Sequence, residues 1–167
     1  MPGPHRPAGA SSRAPPRVRL TSAIVDLRTE IEINAPPAAV WQVLVDTGRY
    51  HEWNPFITSL EGTLAVGEEL SVVVSPPDGS DMRFRPRVLK VEADVELRWR
   101  GVLLAPWLFS GEHFFVLREL SSGKTRVTHG EDFRGFLKRF VGAQLKRTAH
   151  GFVLMNLALK RRVEAES

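Results

Sequence analysis

The chain has no cysteine, which excludes a disulfide framework, a thiolate metal site and a cysteine nucleophile, and makes a reducing cytoplasm the expected compartment. It also has no apolar run approaching the roughly 20 residues that span a bilayer, so membrane insertion is not expected. Residues 1–22 lack the apolar stretch of about 7–15 residues that a secretory signal requires, and their prolines break the amphipathic helix of an organellar presequence. Nor is there an excess of charge on the body of the protein. The net charge of +4 comes from Arg6, Arg13, Arg17 and Arg19, all of which precede Asp26, the first acidic residue. Beyond that point 19 basic side chains face 19 acidic ones, which leaves nothing to hold a polyanion, and nucleic acid is not an expected partner.

What is present describes a globular protein of ordinary composition, 43% hydrophobic and 25% charged over 167 residues, enough to bury a core in one domain. Residues 1–22 form a Pro/Ala/Arg-rich leader expected to be disordered, and residues 23–167 form a single domain. Ile31 and Ile33 alternate with polar neighbours as in a half-buried strand. Pro36 and Pro37 open a helix over 37–46 with Val40, Trp41 and Leu44 on one face, closed at Gly48. Strands then follow over Phe56–Gly62, through Leu70, Val72 and Val74, and in the hairpins Met82–Val91 with Val95–Gly101 and Phe109–Leu120 with Lys124–Phe133. From Phe136 to Val163 the apolar residues recur every three or four positions, predicting one long amphipathic helix. Gly142 and Gly151 within it point to close packing or a slight bend. The resulting fold class is α+β: a curved antiparallel sheet wrapped around the long C-terminal helix, short N-terminal helices closing one end, and an internal cavity left between them.

Parity says which side chains face that cavity. His113, Phe115 and Leu117 share one face of their strand, and Val127, His129, Glu131 and Phe133 share one face of the next. Their alternates, Lys124, Arg126, Thr128 and Asp132, are polar and face outward. A turn over Ser121–Ser122–Gly123 sets Leu120 opposite Lys124, Phe115 opposite His129, and His113 opposite Glu131. His113, His129 and Glu131 are thus the candidate catalytic groups, as a general acid–base set. The competing reading is a structural or ligand-orienting role, since no nucleophile lies near either histidine in sequence. No metal or cofactor is expected. His51 and His150 are expected to be surface or loop-closing groups.

Five patterns then support a family resemblance: Ile33–Asn34–Ala35–Pro36, Val40–Trp41–x–x–Leu44–x–Asp46, Tyr50–x–x–Trp53–Asn54–Pro55–Phe56, Gly111–Glu112–His113–x–Phe115, and Thr125–Arg126–Val127–Thr128–His129–x–Glu131. In this order they resemble the cyclase/dehydrase-like branch of the START-like superfamily, the helix-grip or SRPBCC fold shared with polyketide cyclases and birch-pollen allergens. The resemblance covers residues 28–163 and implies an internal cavity for a hydrophobic small molecule such as a lipid, polyketide or aromatic compound. It implies no particular catalysis.

The expected ligand contacts are Trp53 and Phe56 on the aromatic loop, Trp99, Phe115 and Phe133 on the sheet, and Val141, Leu145 and Phe152 on the helix. Phe109 at the start of its strand and Trp107 complete the set, the latter from an apolar loop over Val102–Leu108 that would cover the pocket mouth. Two functions fit: binding of a hydrophobic small molecule, with acid–base cyclase or dehydratase chemistry as its enzymatic form, or a protein–protein module acting through the outer sheet face with a filled core and no ligand.

Overall fold

In the computed structural model, residues 19–20, 25–102, 110–121, 123–134 and 142–166 are described. The elements run in the order β1 (Arg19–Leu20), β2 (Val25–Ile33), α1 (Pro37–Val45), a single 3-10 turn (Thr47–Arg49), α2 (Tyr50–Trp53), β3 (Ile57–Glu61), β4 (Ser71–Val74), β5 (Met82–Phe84), β6 (Arg87–Glu92), β7 (Glu96–Val102), β8 (Ser110–Leu120), β9 (Lys124–Arg134) and α3 (Gly142–Glu166). This is the helix-grip α+β architecture.

The strands form two antiparallel sheets. The larger has the order β1-β2-β9-β8-β7-β6 and the smaller the order β3-β4-β5. The single strand expected over Met82–Val91 is therefore divided. Pro86 has no N–H to give to a ladder, and the chain changes sheets there, with the Leu70 amide donating to the Pro86 carbonyl at 2.8 Å. A lone bridge between Glu69 and Arg87 ties the two sheets at that corner.

α1 begins where two prolines permit it, with Pro36 at the cap and Pro37 in the first turn. It ends at Val45, and the Asp46 amide donates back to Gln42. Gly48 sits in the 3-10 turn that follows rather than capping the helix, because the backbone continues to wind instead of reversing in a left-handed residue. Two residues assigned to a disordered leader, Arg19 and Leu20, pair with Arg28 and Leu27 at the edge of β2. The rest of the leader, residues 1–18 and 21–22, lies outside the described residues, as does the Phe136–Val141 part of the expected long helix.

The β8–β9 hairpin has the register that parity and turn length predict: Leu120 opposite Lys124, Leu117 opposite Val127, Phe115 opposite His129 and His113 opposite Glu131. Gly123 makes this turn short by taking a left-handed φ of 69°, a conformation with little steric cost only for glycine. The inward residues of β2, β7, β8 and β9 meet α3 in the core, where Leu97, Phe115, Val127, Phe152, Met155 and Leu159 are fully buried. Gly151 of α3 lies so close to Phe56 that any Cβ there would overlap the ring. The aromatic loop thus reaches the helix because that position carries no side chain.

Candidate functional site

A cavity of about 200 Å³ lies between the two sheets and α3. Its apolar walls come from Phe56 and Ile57 on β3 and the segment before it, Val72 and Val74 on β4, and Phe84 and Pro86 at the sheet corner. Trp99, Phe133 and Leu145 close the other sides, and His113, Glu131 and Thr148 supply the polar groups. Phe56 is fixed from below by Asn54, whose side-chain oxygen accepts from the amides of Phe56 and Ile57 at 3.0 and 2.9 Å. Its ring packs edge-on against Phe152 at 5.5 Å.

The expected site residues divide into three groups. Phe56, Trp99, His113, Glu131, Phe133 and Leu145 line the cavity. Phe115, His129 and Phe152 are fully buried behind that wall and shape it without reaching its surface. Trp53 points elsewhere: α2 has only one turn, Tyr50 takes its buried side with its hydroxyl on the Leu44 carbonyl at 2.7 Å, and Trp53 packs edge-on against Tyr50 at 5.1 Å. It lines instead an open depression of about 540 Å³ between α1, α2 and α3. That larger depression is crossed by ion pairs of Arg49 and Arg162 with Glu52 and Glu166, which makes it a solvated groove between helices. The Val102–Leu108 cover, with Trp107, and likewise Phe109 and Val141, lie outside the described residues apart from Val102, which lines the cavity.

The three ionisable groups form the polar end of the cavity. His113 stacks on Trp99, its register partner on β7, with centroids 4.8 Å apart and planes within 10°. Its Nδ1 lies 4.0 Å from Oε2 of Glu131, and its Nε2 lies 3.1 Å from Nε2 of His129. The His129 ring is held between Phe152, at 3.9 Å, and Phe115, at 4.4 Å. Its Nδ1 meets Oδ1 of Asn156 at 2.8 Å. The amide nitrogen of Asn156 donates to the Thr29 hydroxyl at 2.8 Å, which donates in turn to the main-chain carbonyl of His129 at 3.0 Å. A hydrogen-bonded path thus runs from the cavity surface through the sheet to α3. Among the described residues no cluster of three or more His, Asp or Glu could hold a metal ion, since the two Nε2 atoms are directed at one another.

Burial sets the charge states. It pushes His113 down to about 3 and His129 well below its ordinary value, with His113 adding to that effect and the Asn156 hydrogen bond opposing it. Burial also pushes the Glu131 carboxyl up to about 8, with the neighbouring Asp132 charge acting in the same direction. An ion pair between His113 and Glu131 is therefore not the stable state near neutrality; a neutral imidazole faces a carboxylic acid. Only 21% of the Glu131 side chain remains accessible, in the cavity wall. The carboxyl lies over Gly111, where a Cβ would overlap Oε1.

Sequence reasoning missed Asn156, Thr29 and Gly111. The first two carried a signal. Asn156 interrupts the apolar stripe of α3 between Phe152 and Leu159, and Thr29 interrupts the inward face of β2 between Leu27 and Ile31. A polar residue on a buried face needs a partner.

The sequence family described as polyketide cyclase / dehydrase and lipid transport matches residues 25–164. The chain belongs to that family. Solved structures of the same fold include the ZhuI aromatase/cyclase from Streptomyces sp. R1128, at 15% identity and a TM-score of 0.69 over 84% of this chain and 94% of that one.

 A START superfamily protein from Mycobacterium smegmatis is 19% identical with a TM-score of 0.63 over 85% of this chain and 99% of that one. A protein from Arthrobacter aurescens is 17% identical with a TM-score of 0.70 over 89% and 91%. At these identities the likeness shows the fold alone. No curated protein matches the sequence. No helix among the described residues is long and apolar enough to cross a membrane.

Proposed function

We propose that this member of the family binds a hydrophobic small molecule in the cavity between the two sheets and α3. The observation that carries the reading is the cavity itself, about 200 Å³ with mostly apolar walls and a polar group pair, His113 and Glu131, at one end. A dry cavity of about 150 Å³ already admits benzene, so the space suits a flat ligand of one or two rings. On the convex face of the β8–β9 hairpin Phe114 is 3% exposed beneath Arg28 and Arg98, which supports the cavity over the outer sheet as the working surface.

The same pair is arranged for acid–base dehydration or cyclisation. The neutral His113 imidazole takes a proton from a carbon beside a carbonyl, and the Glu131 carboxyl gives its proton to the departing hydroxyl. A C–H and a C–O bond break, a C=C bond forms, and water leaves. Return of the proton from His113 to Glu131 restores both groups.

Native mass spectrometry of freshly purified protein, joined to titration with naphthol while tryptophan fluorescence is read, tests binding. A co-purifying hydrophobic molecule, or a saturable change that Trp99→Phe removes, is expected. No adduct and no response across lipids and flat aromatics would overturn the reading and favour an interaction module using the convex face.

A further inference from the structure

The hydrogen bonds behind the cavity wall have a direction, and it can be followed outward from a group whose role is unambiguous. A main-chain carbonyl only accepts, so Thr29 gives its hydroxyl hydrogen to the His129 carbonyl. The Thr29 oxygen must then accept from Asn156, which places the amide nitrogen of Asn156 toward Thr29 and its oxygen toward His129. His129 Nδ1 therefore carries hydrogen. As a neutral ring its Nε2 is a bare acceptor, and the His113 Nε2 facing it at 3.1 Å must donate. A neutral His113 is left with its lone pair on Nδ1, the atom nearest Glu131.

Nδ1 and the Glu131 Oε2 atom are 4.0 Å apart, too far to bond one another. A hydroxyl oxygen about 2.8 Å from each satisfies both, accepting from the carboxylic acid and donating to the imidazole. Among the described residues lining the cavity there is no lysine or arginine, so a buried carboxylate would find no cation there.

We propose that the cavity selects ligands bearing a neutral hydroxyl, a phenol or alcohol, and that Asn156 and Thr29 act as positioning residues that set this preference through the His129–His113 pair. The proposal rests on the cavity being a binding site. It deepens that reading by naming which polar group the ligand must carry.

The test has two arms. Affinities of the wild-type protein for naphthol, methoxynaphthalene, naphthalene and naphthoate are compared at neutral pH. Naphthol should bind roughly tenfold tighter than naphthalene, with methoxynaphthalene, which cannot donate, well behind naphthol and naphthoate no better than naphthalene. Equal binding of naphthol and methoxynaphthalene, or preference for naphthoate, would overturn the proposal while leaving a binding cavity in place. Failure of all four would overturn the binding reading and this proposal with it.

Independently of any ligand, nitrogen-15 NMR of the histidine rings should find hydrogen on Nδ1 of His129 and on Nε2 of His113. The opposite tautomer at His113 would overturn the proposal even if ligands bind. In Asn156→Asp an acceptor-only carboxylate faces His129 and favours its cation, which donates from both nitrogens and forces His113 to keep its hydrogen on Nδ1. The advantage of naphthol over methoxynaphthalene should then fall below about twofold. An unchanged advantage in a folded variant would remove Asn156 from the proposed role, and if the variant does not fold the ring tautomers of the wild type decide.

Discussion

On the convex face of the β8–β9 hairpin, Glu112 accepts from Arg100 at 3.1 Å, and Asp132 is bonded by Arg28 and lies 3.3 Å from Arg98. One position along the same strands, on the concave face, Glu131 has no guanidinium and faces a neutral imidazole. The two faces are built from alternate residues, so they share backbone, twist and local sequence. What differs is the partner each carboxylate meets, since the side chains are no more exposed outside, at 10% for Glu112 and 20% for Asp132, than inside, at 21% for Glu131. On the outside arginines hydrogen-bond the carboxylates. On the inside desolvation outweighs the histidine beside it, and the proton stays on the acid. The hairpin thus carries its ion pairs on one side and its neutral ionisable groups on the other.

The most severe way to break this contrast is to place a fixed charge on each side in turn. His129→Lys puts an ammonium between Phe115 and Phe152 with no carboxylate to meet it, at a cost of roughly 3–5 kcal/mol or of folding altogether. Thr128→Lys, one residue away and half-buried on the convex face opposite Glu30, should stay within about 0.5 kcal/mol. Urea unfolding of the two variants measures the difference, and similar costs would mean that the faces are not distinct environments.

The second contrast is read in pH. Between its ordinary value of 4.5 and about 8, folded Glu131 keeps a proton that the unfolded chain has lost. Its contribution to stability is therefore full below about pH 4.5 and is lost as pH rises toward 8. Glu131→Gln should abolish that part of the decline, roughly 2–4 kcal/mol after allowance for the accessible part of the side chain. His113 acts in the other direction: held near 3, it loses stability for the fold as pH falls below 6.5. A wild-type slope unaffected by Glu131→Gln would show that the carboxyl is ionised in the folded protein.

A gentler change sharpens the geometry of the concave side. Gly111→Ala places a methyl group where the Glu131 carboxyl lies, and should weaken naphthol binding about tenfold with a modest loss of stability. Its register partner Gly101 has nothing within 4 Å of a built Cβ, so Gly101→Ala should be well tolerated by the fold. Unchanged naphthol binding in Gly111→Ala would mean that the carboxyl position is unimportant.

The legible part of this arrangement was whatever followed from period and turn length. Alternation along 113–117 and 127–133, with a three-residue turn, is enough to set His113 against Glu131. Contacts between distant elements were not legible in the same way. Asn156 meets His129 only because α3 crosses β9 at that height, and strand parity says nothing about where a helix crosses. The division of the Met82–Val91 strand had a local signal in Pro86, which a central strand would not tolerate. Trp53 was misplaced because an aromatic cluster in a one-turn helix does not reveal which ring turns inward. The charge states were hidden for another reason: residue types suggest an ion pair, and only the depth of burial reverses it.

The smallest expected effect lies farthest from the cavity. Arg126 and Glu32 pair at 2.7 Å across β9 and β2, both well exposed at 39% and 54%. The arginine side-chain hydrogen bond holds the Glu32 carboxyl below its ordinary value, but water and salt screen a pair in this position. Arg126→Gln should leave naphthol affinity unchanged and shift the urea midpoint slightly at low salt. In about 1 M salt, where the screening length shrinks to roughly 3 Å, that shift should vanish. A midpoint shift that persists in high salt would mean that Arg126 contributes packing rather than charge. A change in affinity would mean that the convex ion pairs and the concave site are coupled through the strands, and the separation of the two faces would then be one of position but not of energy.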